Sequence, residues 1–226
     1  YEWWKGCSCV VVDEAHSATE PSYTSVLEWL GIGRGRARCP LIGLTATPFR
    51  GHSEEETERL VRRFGGVRLD TALSADPYRY LQDLGVLATV RHQVLEGVEV
   101  ELSDRELHEV EKFRMLPASV SERIGANVNR NVLLLQDITS KPRAWPMIVF
   151  AASVEHAQAL AALLRMEGVA AFPISGTTDP GTRRLYIERF REGRIQVLAN
   201  YQVLTQGFDA PAVRAIYVAR PTFSPA

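Results

Sequence analysis

Short apolar runs alternate along the chain with longer stretches in which apolar residues recur at helical spacing. The apolar runs predict strands at residues 7–12, 41–44, 147–150, 169–174, 195–199 and 213–218. The amphipathic stretches predict helices at residues 21–30, 54–64, 76–84, 154–166 and 182–191. Such alternation is typical of parallel sheets whose strands are joined by crossover helices, so the pattern predicts an α/β fold.

A helical stretch separates two α/β series. Residues 86–95 are predicted to be extended, residues 102–114 to be helical, and residues 120–138 to form one further helix after Pro117. Two series separated in this way predict two lobes. The predicted first lobe, helical connection and second lobe comprise residues 1–95, 96–140 and 141–226.

The charge balance limits how the chain can bind nucleic acid. Lys and Arg number 26 and Asp and Glu number 27, which gives 226 residues a net charge of −1 and no global attraction to nucleic acid. A nucleic-acid site must therefore use backbone amides, hydroxyls and a few arginines. No apolar run approaches the roughly 20 residues that span a bilayer, so we expect no membrane association and a cytoplasmic location.

The three cysteines favour a reduced protein. Cys7, Cys9 and Cys39 form no C-x-x-C pair, which argues against a disulfide framework and a structural zinc site. Cys7 and Cys9 alternate into the first predicted strand, and we expect them in or near the core.

Two adjacent acids follow the first apolar run. Val10, Val11 and Val12 predict a strand that is buried on both faces, and Asp13 and Glu14 come directly after it. Open α/β sheets bind their ligands at such strand ends. Two carboxylates there cost desolvation energy unless a cation pairs with them, and Mg²⁺ on a nucleotide phosphate supplies one. Taken alone, the pair also fits an ordinary strand end and turn.

Two further motifs carry candidate chemistry. Thr45 and Thr47 follow the strand at residues 41–44. In the second series, Gly207 permits close backbone approach, Asp209 can accept a hydrogen bond from a ribose hydroxyl, and Thr205 with nearby amides can hold a phosphate. Each motif alone fits a surface turn equally well.

Taken together, the motifs resemble superfamily 2 helicases and translocases. The segments that carry the resemblance, in the family's order, are VVVDEAH (10–16), GLTATPFRG (43–51), IVFAAS (148–153), ISG (174–176), RLYIERFREGRIQVLANYQVLTQGFDAP (184–211) and ARPTFSP (219–225). The DEAH-containing group of repair helicases and restriction-enzyme motor subunits is the most similar. In that group a G-x-L segment follows the first lobe, and Gly85-Val86-Leu87 resembles it here. The resemblance implies two RecA-like parallel-sheet lobes that use ATP and Mg²⁺.

The resemblance implies roles for the first-lobe residues. Asp13 resembles the acid that holds Mg²⁺ through water, and Glu14 resembles the carboxylate that orients and deprotonates the attacking water. His16 resembles the residue that links the nucleotide site to the other lobe, although a lone histidine at a helix start is more often structural. Thr45 and Thr47 resemble the motif that couples hydrolysis to strand movement.

In the second lobe, the resemblance implies that Gly207 and Asp209 close on the nucleotide. It implies that Ser153, Gly176 and Thr205 contact the nucleic-acid backbone. A run of arginines between residues 183 and 194 is interleaved with Glu188 and Glu192, which favours a solvated, salt-bridged face over a nucleic-acid site.

Two motifs of the family are missing from the sequence. The phosphate-gripping G-x-x-x-x-G-K-[ST] loop does not occur, and the terminal arginine-finger motif would follow Pro225. We therefore expect an incomplete first lobe and a polypeptide that is inactive alone, within a parent protein that is an ATPase. Residues 1–90 are then stabilised by association with another copy, or their missing part has been lost.

The expected function is that of an ATP-dependent helicase, with DNA favoured over RNA because the most similar group acts on DNA. One alternative is the duplex-DNA translocase subunit of a restriction system. Another is a degenerate RecA-like module that binds nucleic acid or protein without hydrolysis, against which the intact Asp13-Glu14 and Thr45-Ala46-Thr47 argue.

Overall fold

The computed structural model describes residues 7–32, 39–45, 54–67, 76–95, 99–113, 116–204 and 208–221. The chain divides into two compact units, residues 1–90 and 91–226. The helical stretch at residues 96–140, predicted as a connection, lies within the second unit. In the part of the chain that is described, no helix has the length and apolarity needed to cross a bilayer.

The first unit contains a two-stranded parallel sheet. Strand β1 (Val10–Asp13) pairs with β2 (Leu41–Leu44) in a register that places Asp13 opposite Leu44. The helices are α1 (Pro21–Trp29), α2 (Glu54–Arg63) and α3 (Pro77–Asp83). Proline at the first position of α1 and α3 suits the helix start, where its missing N–H is not needed.

One face of this small sheet is covered. Val12 packs with Ala15, Leu27 and Leu60 in the core of the first unit, whereas Val11 and Leu44 are 55% and 52% exposed. The prediction of burial on both faces is therefore wrong for β1, because successive side chains point to opposite faces and the described helices pack on one face.

The expectation that Cys7 and Cys9 lie in or near the core is also wrong. Both thiols are exposed. Strand β1 begins only at Val10, so these two residues precede the sheet and none of its pairing brings them under a helix.

The second unit is built on a four-stranded parallel sheet. Its strands are β3 (Met147–Phe150), β4 (Ala171–Ile174), β5 (Val197–Asn200) and β6 (Ala215–Val218), in the order β4-β5-β3-β6. The helices are α4 (Asp104–Phe113), α5 (Ala118–Ala126), α6 (Val128–Ser140), α7 (Val154–Met166) and α8 (Pro180–Arg191). The predicted α/β class with parallel sheets is confirmed.

Both faces of the inner strands β3 and β5 are covered, whereas the edge strand β6 leaves Ile216 and Val218 exposed. Leu160 and Leu164 of α7 pack with Val149 and Val197 on one face, and Phe190 of α8 packs with the other. All four residues of the inner strand β5 are buried. Full burial of one large apolar side chain contributes about 1.5–3 kcal/mol, so these two layers give the second unit a core of its own.

The single helix predicted at residues 120–138 is in fact two. Asn127 has extended backbone geometry (φ −69°, ψ 112°), which ends α5, and its side chain accepts a hydrogen bond from the Arg130 N–H at the start of α6. Residues 86–95, predicted to be extended, pair with neither sheet.

Candidate nucleotide and nucleic-acid sites

The two acids of the first unit lie at the carboxyl end of β1. Asp13 is the last residue of the strand, and its Oδ1 accepts a hydrogen bond of 2.9 Å from the Glu14 N–H. Glu14 has φ 52° and ψ 45°, the left-handed region that side chains other than glycine seldom adopt. The chain thus turns sharply between the two carboxylates. Non-glycine residues in this region cost of order 1–3 kcal/mol and cluster at functional sites.

His16 joins this turn to the end of β2. Its Nδ1 lies 3.1 Å from the Thr45 Oγ1 and 3.3 Å from the Glu14 Oε2, so a proton on Nδ1 can be donated to either oxygen. Thr45 follows β2 directly, and the parallel register brings the ends of β1 and β2 side by side. Four predicted residues, Asp13, Glu14, His16 and Thr45, therefore meet at one edge of the sheet. Thr47 lies outside the described residues.

Gly43 sets the spacing at this edge. A Cβ at this position would lie 2.8 Å from both the Ala15 Cβ and the Phe64 ring, closer than real contacts allow. Ala15 begins the short 3₁₀ turn that contains His16. The absence of a side chain at Gly43 therefore lets this turn sit directly on β2, which brings His16 within reach of Thr45.

The donor set at β1 suits Mg²⁺ held largely through water. Asp13 is exposed, and only one of its two oxygens receives the Glu14 N–H. The described residues contain no group of three side chains able to hold a metal ion. One carboxylate, completed by water and phosphate oxygens, is the ligand set that Mg²⁺ prefers on nucleotides, so Asp13 fits the predicted role.

Ser153 is the N-cap of α7 in the second unit. It follows β3, is 9% exposed, and its Oγ accepts a hydrogen bond of 3.0 Å from the His156 N–H. The hydroxyl proton is left to donate elsewhere, so the cap and the predicted contact with a nucleic-acid backbone are chemically compatible.

His156, which the sequence did not indicate, is the residue whose backbone N–H Ser153 caps. Its Nδ1 accepts the Ala152 N–H at 3.1 Å, and its Nε2 lies 3.0 Å from the Asn131 Oδ1, so the neutral ring with its proton on Nε2 satisfies both partners. Burial, together with the neighbouring positive charge of Arg130, lowers the pKa of His156 to about 4. The only sequence signal was a histidine one turn after the capping serine.

Gly176 lies in a tight loop after β4. A Cβ there would meet nothing within 4 Å, so the space beside it is open to a partner. The loop is fixed from within: the Ser175 N–H donates to the Thr178 Oγ1 at 2.9 Å, and the Arg183 Nη2 donates to the Thr178 carbonyl at 3.1 Å. Gly176 and Ser153 follow strands of the same parallel sheet, so they share its carboxyl edge.

The segment after β5 starts at that edge and leaves it. Asn200 is fully buried, and its side-chain oxygen accepts hydrogen bonds from the Val203 and Leu204 N–H groups at 3.1 and 2.9 Å. Gln202, which lies between Asn200 and Val203 in the chain, has φ 56°. Among the described residues, Gln202 and Glu14 are the non-glycine positions with positive φ, and each follows a strand that precedes a predicted motif. Thr205 and Gly207 lie outside the described residues.

Asp209 is found at the opposite edge. It lines a groove with Pro146, which precedes β3, and with Arg191 at the end of α8. The structure therefore brings Ser153 and Gly176 to one edge of the sheet and does not bring Asp209 to them.

The arginine run between residues 183 and 194 is used internally. Arg184 pairs with Glu188 at 2.9 Å and Arg194 pairs with Glu192, which confirms the predicted salt-bridged face. Arg183 and Arg191 instead donate to backbone carbonyls.

Comparison with known proteins finds helicases. Residues 130–226 match the helicase conserved C-terminal domain. The chain is 24% identical over 225 residues to IRC3 of Saccharomyces cerevisiae, a protein assigned as an ATP-dependent helicase; the match covers 95% of this chain and 30% of that protein. Together with the motifs, these matches support a fragment of a superfamily 2 helicase. The chain spans less than half the length of the curated relatives that it matches along most of its own length.

A shorter match and a solved structure complete the comparison. Over 73 residues, the chain is 37% identical to the ATP-dependent RNA helicase dbp10 of Sclerotinia sclerotiorum; the match covers 32% of this chain and 8% of that protein. The chain shares its fold with a fragment assigned to the HsdR subunit of a type I restriction enzyme from Vibrio vulnificus YJ016. That likeness has a TM-score of 0.64 at 21% identity and covers 96% of this chain and 38% of the other.

Proposed function

We propose that this chain carries part of the ATPase site and part of the nucleic-acid track of a DNA motor. The observation that carries the proposal is the cluster of Asp13, Glu14, His16 and Thr45 at one sheet edge. Its members come from the ends of two strands, and the side chains of His16 and Thr45, which are 29 residues apart in the chain, meet at 3.1 Å.

Positioning and electrostatics supply most of the catalysis of phosphoryl transfer. Glu14 acts as the base that orients the attacking water and takes its proton, and the nearby His16 fixes the direction of the Glu14 carboxylate. Asp13 would hold Mg²⁺ through water, and a bound Mg²⁺ neutralises charge on the nucleotide phosphates. Because His16 contacts both Glu14 and Thr45, a movement of the Glu14 carboxylate is transmitted through His16 to Thr45, the residue after β2.

Ser153 and Gly176 form the nucleic-acid side of the proposal. Both lie at the carboxyl edge of the second sheet, one with a hydroxyl and one with open space beside its backbone. Contacts of this type follow a phosphate backbone without reading bases. They suit a chain whose net charge is −1, because they need no basic surface.

DNA is favoured over RNA on the resemblance of the motifs to the DEAH-containing group. Translocation on duplex DNA without strand separation is the second candidate, which the fold shared with the restriction-enzyme fragment supports. A module without hydrolysis is disfavoured, because Asp13-Glu14 and Thr45-Ala46-Thr47 are both intact in the sequence.

Substitution of the base tests the proposal. In the full-length protein, Glu14→Gln should lower nucleic-acid-stimulated ATP turnover at least about 100-fold and leave nucleotide affinity within about twofold, because the amide cannot accept the proton. Glu28→Gln, an exposed carboxylate of α1, is the matched control and should turn over ATP at the wild-type rate. Turnover that survives in the Glu14 variant would contradict the role of Glu14.

The same wild-type protein should be assayed with single-stranded DNA, duplex DNA and RNA side by side. Stimulation by DNA and not by RNA supports the proposed track, and displacement of a triplex strand without unwinding favours the translocase. The 226 residues contain no G-x-x-x-x-G-K-[ST] motif, and we expect them to be inactive when expressed alone.

A further inference from the structure

The cysteines of the chain meet at the amino end of the first sheet. The Val10 N–H donates a hydrogen bond of 2.9 Å to the Pro40 carbonyl, and Val10 lies opposite Leu41 in the register of β1 and β2. Cys9 directly precedes Val10, and Cys39 directly precedes Pro40. The first bond of the sheet therefore brings the two segments that carry the cysteines side by side.

The spacing of these two segments suits a disulfide. Extended back from Val10, the register places Cys39 opposite Ser8, the residue between Cys7 and Cys9. Neighbouring strands lie about 4.8 Å apart and rise about 3.3 Å per residue, so the Cα atom of Cys39 is roughly 6 Å from that of either cysteine. Disulfides join Cα atoms about 4.4–6.8 Å apart, so the bond needs no large backbone movement.

A side-chain contact in this cluster joins Cys39 to Cys7. The two thiols are hydrogen-bonded, whereas the influence of Cys9 on Cys39 is electrostatic. Burial, followed by these two neighbours, raises the pKa of the Cys39 thiol. Because Cys7 is exposed and Cys39 is half-buried, a reagent in solution reaches Cys7 first.

A pair of sulfurs is the reactive unit of the cluster. Among the residues that the structure describes, no three side chains are grouped in a way that could hold a metal ion. We infer that Cys7 and Cys39 are a redox-sensitive pair, which a hydroperoxide oxidises to a disulfide. The inference is independent of the proposed function, because it uses none of the residues assigned to ATP or nucleic acid.

The oxidation proceeds in two balanced steps. The Cys7 sulfur attacks one oxygen of hydrogen peroxide, the O–O bond breaks, and the other oxygen leaves as water with the thiol proton, so that Cys7 becomes a sulfenic acid. The Cys39 sulfur then attacks the Cys7 sulfur, the S–O bond breaks, and the hydroxyl leaves as a second water with the Cys39 proton. The two thiols lose two electrons, which reduce the peroxide.

The bond fastens the amino ends of β1 and β2 together. Asp13 and Thr45 lie at the carboxyl ends of the same strands, so the link forms at the end away from them. A two-stranded sheet is marginally stable by itself, and a cross-link that closes the loop between residues 7 and 39 restricts the unfolded chain. Oxidation should therefore stabilise this sheet.

Peptide mapping tests the pairing. The full-length protein is treated with hydrogen peroxide while folded, its remaining thiols are alkylated, and it is digested with trypsin without reduction. Trypsin releases residues 6–34 and 39–50, which should appear as one linked pair that dithiothreitol separates. Fragment ions that place the link at Cys7 support the inference. Peptides that stay separate, or a link that falls mainly on Cys9, overturn it.

Serine variants and unfolded protein serve as controls. Cys7→Ser should lower the yield of linked peptide at least about tenfold, whereas Cys9→Ser should keep most of it, because only the first removes the sulfur that contacts Cys39. Equal losses in the two variants overturn the pairing. Oxidation in concentrated urea should remove the preference for Cys7 over Cys9, because the fold no longer selects the pair. A preference that persists in the unfolded chain overturns the role of the cluster.

Hydrogen–deuterium exchange tests the effect on the sheet. Amides of residues 10–13 and 41–44 should exchange at least about fivefold more slowly in the oxidised protein than in the reduced protein. The same peroxide treatment should leave exchange unchanged in Cys39→Ser. Equal rates in the oxidised and reduced wild type, or equal slowing in Cys39→Ser, overturn the stabilising effect of the bond.

Discussion

At the scale of single residues, His156 shows how burial decides chemistry. The ring is 2% exposed and both of its nitrogens have partners that suit the neutral form. A proton on Nδ1 would face the Ala152 N–H, and Arg130 adds a positive charge nearby. The lowered pKa follows from this surrounding, and it makes the folding of the second unit sensitive to acid.

The stability of the second unit should therefore fall in mild acid. The pKa of His156 is about 4 in the folded chain and 6.5 when unfolded, so its contribution is complete above pH 6.5 and is lost as the pH falls towards 4, where the unfolded chain takes up the proton first. Urea titrations between pH 7 and pH 4 should show a loss of up to about 3 kcal/mol from this group. That loss should be absent in His156→Gln and present in His108→Gln, an exposed control on α4. If the free energy of unfolding falls equally with pH in both variants, His156 is not the source of the loss.

The location of a residue can be predicted where a motif sits at a strand end. Asp13 and Thr45 each follow an apolar run, and parallel pairing alone brings such ends together. The sequence could not show that His16 bridges them, because that contact depends on the missing Cβ of Gly43. His156 was out of reach for the same kind of reason: its partners come from another helix and a loop.

At the scale of elements, capping side chains fix where two helices of the second unit begin. Ser153 caps α7 and Asn127 caps α6, each by accepting one backbone N–H. The cap of Asn127 also explains why one predicted helix is two, since an extended residue breaks an otherwise continuous apolar pattern. The positions of the strands were predicted to within about three residues, because short apolar runs bounded by turns leave little choice.

Substitutions at Ser153 should separate its two roles. Ser153→Ala should lower the free energy of unfolding by about 1 kcal/mol, the usual cost of a lost cap. Ser153→Asp should keep the cap and the stability, but its charge should weaken nucleic-acid affinity about tenfold by repelling phosphate. Fluorescence anisotropy of the full-length protein with a labelled oligonucleotide measures the affinity. Asn127→Asp adds the same charge at another cap and should bind the oligonucleotide with wild-type affinity. If the wild type, Ser153→Asp and Asn127→Asp bind equally well, Ser153 does not contact the nucleic acid.

At the scale of the whole molecule, the two units differ in how completely their sheets are covered. In the second sheet the inner strands β3 and β5 are covered on both faces and the edge strand β6 exposes Ile216 and Val218, whereas the first sheet has two strands and leaves Val11 and Leu44 exposed. Burial of this kind could not be read from the apolar runs alone. It depends on which helices lie against each face, and the sequence pattern does not say this.

The exposed face of the first unit should govern self-association of the 226-residue chain. The double substitution Val11→Lys and Leu44→Lys should lower the binding of a hydrophobic dye and shift sedimentation towards the monomer, because the charges remain solvated there. Circular dichroism should stay unchanged. Val132→Lys, at an exposed apolar position of the second unit, is the control. If the double variant sediments and binds dye like the wild type, association occurs through another surface.

The left-handed backbone at Glu14 sets two kinds of selection against each other. Glycine would relax this position, so a search for thermostable variants that ignores activity should accumulate Glu14→Gly. A search that demands hydrolysis should keep the carboxylate and accumulate its gains elsewhere. The fate of this one codon in a mutant library would therefore report whether ATP turnover was under selection.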